Sequence, residues 1–125
     1  QGTTVEACQS IADSTIDIAY IDGDHTMRGV LLDLVSMFPK VREGGFLVGD
    51  DAVPNPWQHG AMYEPSFVYP ICRHLAEAWS CPIFMVSENQ FVIQKTPEKG
   101  YHFNDTTGLY KTQAVLPFLE PKRKN

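Results

Sequence analysis

The chain has 125 residues, 43% of them hydrophobic and 20% charged, which suits one globular domain built on one core. Its formal net charge of −5 and pI near 5.2 argue against nucleic acid or an anionic membrane surface as a partner. No apolar run approaches the roughly eighteen residues of a transmembrane helix. In chain order, Val5, Cys8, Ile11 and Ala12 fall at helical spacing, with Gly2-Thr3-Thr4 as a cap and Asp13-Ser14 as a stop. Residues 16–21 are apolar except for Asp17 and predict a buried strand. From Met27 the period changes: Val30, Leu31, Leu34, Val35 and Phe38 share one helical face, and Pro39 ends it. Arg42-Glu43-Gly44-Gly45 predicts a turn, and residues 46–48 a second apolar strand closing on Gly49-Asp50-Asp51. A helix of about a dozen residues between two buried strands predicts a right-handed β-α-β crossover with parallel strands.

The second half is looser. Residues 52–65 hold three prolines together with Trp57, His59 and Tyr63, and predict a lid or substrate wall. Residues 66–79 read as a helix, with Phe67, Ile71, Leu75 and Ala78 on one face and Pro70 in its first turn or at a kink. Residues 82–86 and 91–94 predict an antiparallel hairpin around the turn Ser87-Glu88-Asn89-Gln90. Past Thr96 the chain is polar and irregular, which suggests a domain over 1–97 and an irregular extension over 98–125. The three cysteines, Cys8, Cys72 and Cys81, are odd in number and lack C-x-x-C spacing. They read as reduced thiols in a cytoplasmic location, and not as a zinc site.

Both strands of the crossover end in carboxylates, Asp22 and Asp24 after the first, Asp50 and Asp51 after the second. The carboxyl ends of parallel strands lie side by side, roughly 5 Å apart, and ligands bind there. Acids gathered so closely repel and raise one another's pKa unless something cancels them. A divalent cation with hard oxygen ligands, magnesium, calcium or manganese, is the natural remedy. The bland reading is that each Asp caps the following helix or faces water.

The stretch "DIAYIDGDHTMRGVLLDLVSMFPKVREGGFLVGDD", residues 17–51, resembles the core of a class I S-adenosylmethionine-dependent methyltransferase. It is most similar to the metal-dependent O-methyltransferase branch, with its I-D-G-D-H and G-G-x-x-x-G-D-D strand ends. The resemblance implies an α/β, Rossmann-like methyltransferase sheet of which this chain is the C-terminal half: strands four to seven, the last antiparallel. It implies a magnesium ion on Asp22, Asp50 and Asp51, and Asp24 or His25 as general base, with His59 behind them. Asp22 and a small polar residue, Thr3 or Thr4, would contact S-adenosylmethionine; a helix N-cap explains the two threonines equally well. A small-molecule hydroxyl, on a sugar or natural product, would accept the methyl group.

The glycine-rich loop of that family belongs upstream of Gln1, so a missing N-terminal half or a homo-oligomer is expected to complete the fold, and cofactor binding by this chain alone is expected to be weak. Two other readings stay open. One is a truncated or degenerate cation-binding module without catalysis. The other is an aspartate-nucleophile phosphohydrolase, which "DGDHT" mimics faintly and for which the downstream lysine has no clear candidate.

Overall fold

The computed structural model describes residues 8–21, 26–54 and 66–112, with residues 111 and 112 described by backbone only. Its elements are β1 (Ile16–Ile21), α1 (Met27–Met37), β2 (Val41–Gly49), α2 (Val68–Ala78), β3 (Ile83–Val86), β4 (Gln90–Gln94), β5 (Phe103–Asp105) and α3 (Leu109–Thr112). The five strands form one sheet in the order β1-β2-β4-β3-β5. β1 and β2 run parallel through α1, as the periodicity predicts. β4 lies between β2 and β3 and is antiparallel to both. This mixed open sheet is the α/β, Rossmann-like arrangement expected, with its single reversed strand inside.

Register shows why these strands pair as they do. Ala19, Leu47, Ile93 and Ile83 align in one row across β1, β2, β4 and β3, and all four are buried. Ile21, Gly49, Phe91 and Met85 form the next row of the same face. Helix α1 buries Val30 and Leu34, one turn apart, and packs beside α2, which buries Val68, Tyr69, Cys72 and Ala76. Thr26 caps α1 by accepting the Gly29 N–H on its hydroxyl at 3.1 Å. Past α1, Phe38 stacks on Trp79 with ring centroids 3.8 Å apart, tying the end of one helix to the end of the other. Lys95 Nζ sits 4.6 Å from the Phe38 ring centre and donates to the carbonyls of Phe38 and Val41.

Several expectations need correction. The run 16–21 is a strand but not a buried one: only Ala19 is buried, while Ile18 and Tyr20 are 63% and 52% exposed. β1 ends the described sheet, so one of its faces and one edge lack the cover that a central strand has. Residues 42–45 are not a turn between elements but part of β2. Ile16 opposes Val41 while Ile18 opposes Phe46, so extra residues bulge from β2, with Gly44 at φ +81°. The bulge is pinned on its far side by the exchange Gly44 N–H to Lys95 O and Lys95 N–H to Gly45 O, both 2.8 Å. A pattern of glycines next to charged residues looks like a loop because a bulge uses the same residues. Finally, the chain beyond Thr96 is not all irregular. β5 adds to β3 in parallel, and α3 follows it.

The other elements stand where expected, but the buried faces of the helices differ. In α1, Leu31 and Val35 are 41% and 47% exposed beside buried Val30 and Leu34. Helix α2 buries Val68, Tyr69, Cys72 and Ala76 in place of Phe67, Ile71, Leu75 and Ala78, because its core lies on the neighbouring stripe of the helix. Pro70 falls in the first turn of α2, where its missing N–H costs nothing. The hairpin of β3 and β4 is antiparallel, with Glu88 and Asn89 of its turn both left-handed. The three cysteines are free and buried. Among the described residues no helix is long and apolar enough to cross a membrane.

Candidate active site

The carboxyl ends of β1 and β2 lie level: Ile21 pairs with Gly49, and the Asp50 N–H reaches the Ile21 carbonyl at 3.3 Å. Asp50 therefore stands beside the point where β1 ends. Its two oxygens are both held, Oδ1 by the Asp51 N–H at 2.9 Å and Oδ2 by the Tyr20 hydroxyl at 3.3 Å. Each oxygen keeps a further lone pair. Asp51 takes a left-handed backbone, φ +60°, which Asp tolerates better than most residues. That turn is fixed from three directions. Ser66 Oγ donates to the Asp51 carbonyl at 2.7 Å, the Ala52 N–H donates to the Asn89 carbonyl at 2.8 Å, and the Tyr110 hydroxyl donates to the Ala52 carbonyl.

Of the residues singled out in the sequence, Asp50 and Asp51 are thus placed together at one strand end. Thr3, Thr4, Asp22, Asp24 and His25 lie outside the described residues, as do Trp57, His59 and Tyr63 of the expected lid. Among the described residues no group of three His, Cys, Asp or Glu side chains could hold a metal. His74 and His102 are exposed, as expected of surface residues. A cavity of about 310 Å³, lined by Cys8, Asp13, Val35, Pro39 and Lys40 among others, lies at the amino ends of the strands, away from Asp50.

The residues that sequence reasoning missed are those that hold the acids and carry no acid themselves. Tyr20 gave a signal in principle, since one position before the strand's last residue it pairs with Val48 of β2. Ser66, Asn89 and Tyr110 gave none, because each reaches the Asp51–Ala52 backbone from a distant part of the chain.

Tyr110 is delivered by a cap. Asp105 Oδ1 accepts the N–H groups of Thr107 and Gly108 at 3.0 Å, and Oδ2 accepts the Tyr110 N–H at 2.9 Å. Partial burial pushes the Asp105 carboxyl up, but the hydrogen bonds from Thr107, Tyr110 and Gly108 outweigh it and hold the group below its ordinary 3.8. A depressed folded pKa gives stability that is present above the ordinary value and lost as pH falls through the folded one. The expected result is local: amide signals of residues 107–110 should collapse in acid before those of β2 and β4, and Asp105→Asn should abolish that separate step in an NMR pH titration.

Residues 1–52 match the model of a protein family described as a methyltransferase domain. The matched segment contains β1, α1, β2 and, apart from His59, the catalytic, cofactor and metal candidates named above. The enzyme class it supports is a methyltransferase. No curated protein matches the chain.

Proposed function

We propose that the protein is an S-adenosylmethionine-dependent O-methyltransferase acting on a hydroxyl of a sugar or small natural product, with a divalent metal, magnesium, at the carboxyl ends of β1 and β2. The observation that carries this reading is the Asp50-Asp51 pair at the end of β2, level with the end of β1 and inside the matched segment. Two hard oxygen donors suit a hard cation. Asp22, the residue after Ile21, is the third proposed donor. When bound, the metal would lower the pKa of the acceptor hydroxyl and fix its oxygen, and S-adenosylmethionine would supply the methyl group.

The chain's own residues then have separate tasks. Asp22, Asp50 and Asp51 hold charge and orient the acceptor. Asp24 or His25 would take the proton that the hydroxyl loses as its oxygen bonds the methyl carbon and the carbon–sulfur bond of the cofactor breaks, its electron pair leaving on sulfur. Thr3 or Thr4 contacts the adenine, and Asp22 lies beside the cofactor. The buried free thiols suit a reducing, cytoplasmic setting.

The test uses the 125-residue chain with methyl-labelled S-adenosylmethionine at saturating concentration and a panel of polyol, sugar and phenol acceptors. Label transfer that needs magnesium and is stopped by chelator is the expected result. Metal binding without transfer on any acceptor would favour the cation-binding module. Neither binding nor transfer would remove the proposal.

A further inference from the structure

We propose that Tyr110 is a positioning residue for the acidic end of β2. The inference rests on the reading of Asp50-Asp51 as the site, and it assigns a role to a part of the chain outside the matched segment, 58 residues beyond Ala52 in sequence. Asp51 holds a left-handed backbone that an unsupported chain seldom keeps, so neighbouring groups must fix it. Its neighbour Ala52 is fully buried, and the Ala52 carbonyl takes its hydrogen bond from the Tyr110 hydroxyl. A carbonyl buried there without a donor would be costly.

Tyr110 is built for this one contact. It is 5% exposed, and its ring lies against Tyr69, centroids 4.8 Å apart, and edge-on to Phe103 at 6.3 Å. Burial pushes its phenol above the ordinary range, so the hydroxyl remains a donor. The Asp105 cap fixes the backbone of Tyr110, and β5 fixes Asp105 by pairing with β3. Strand, cap, tyrosine and carbonyl thus form one continuous brace from the far edge of the sheet to the acids.

Tyr110→Phe keeps the ring and removes the donor, and Tyr69→Phe is the control, because the Tyr69 hydroxyl accepts from Arg73 and does not reach Ala52. Two readouts are needed. The first is hydrogen exchange of the Ala52 amide, which in the full chain should quicken about tenfold in Tyr110→Phe and stay unchanged in Tyr69→Phe. The second is the affinity for manganese followed by electron paramagnetic resonance, which should weaken about tenfold in Tyr110→Phe, the size usual for groups that orient metal ligands. Unchanged Ala52 exchange would overturn the proposal, whether or not metal binds. Manganese affinity unchanged beside a lowered melting temperature would reduce Tyr110 to a packing residue and overturn it equally. If the parent chain binds no manganese, the reading of the acids falls, while the brace is still judged by exchange.

Discussion

Replacing Gly49 with alanine is expected to destabilise the protein by about 3 kcal/mol, the upper part of the range for overfilled cores. Gly49 sits in the buried row Ile21, Gly49, Phe91 and Met85, and the Phe91 ring lies directly over its Cα. A β-carbon there would overlap Cε1 and Cζ of that ring and come within 3.1 Å of the Ile21 carbonyl. Phe91 is 1% exposed and is the largest fully buried side chain among the described residues, so its ring has nowhere to swing. The strand must move instead, and Asp50 moves with it. Urea unfolding measures the loss. A midpoint close to that of the parent would show that the ring yields freely and that Gly49 is dispensable. The double variant Gly49→Ala with Phe91→Leu should recover part of the loss, because the two sites share one space.

Asp50→Asn is expected to lower metal-dependent methyl transfer by about a hundredfold or more while changing stability by less than about 1 kcal/mol. The amide keeps an oxygen for the Asp51 N–H, so the turn loses little. What it lacks is the negative charge that a hard cation needs. Manganese affinity should fall together with the transfer rate, and excess metal should restore part of the activity. A variant that transfers methyl groups within twofold of the parent would place the chemistry elsewhere. Tyr20→Phe offers a milder comparison, since it removes only the 3.3 Å bond to Oδ2.

Local periodicity is enough to place α1, α2, β3 and β4 along the chain, because each repeats one pattern over its own length. It does not fix which stripe of α2 meets the core, since Val68, Tyr69, Cys72 and Ala76 are as apolar as the stripe beside them. It also placed Asp50 and Asp51, since a polar pair closing an apolar strand stands out in any register. It failed at 42–45, where a bulge and a turn call for the same residues. It failed at β1 for a different reason. An apolar hexamer has the same composition at the centre of a sheet or at its rim, and only pairing decides which. β5 escaped notice because Phe103, Asn104 and Asp105 carry no alternation; their strand exists through β3 alone. The brace on Ala52 was illegible in principle, because hydrogen bonds to backbone carbonyls select a donor and a distance and leave no mark in spacing.

The exposed side of β1 has a practical meaning. Ile18 and Tyr20 are exposed on β1, and Met27, Leu31, Leu32 and Val35 are exposed on α1. A rim strand carrying such groups is a template on which any extended segment can be laid down. Collisions between molecules are therefore expected to limit storage of the chain, and light scattering should rise with its concentration.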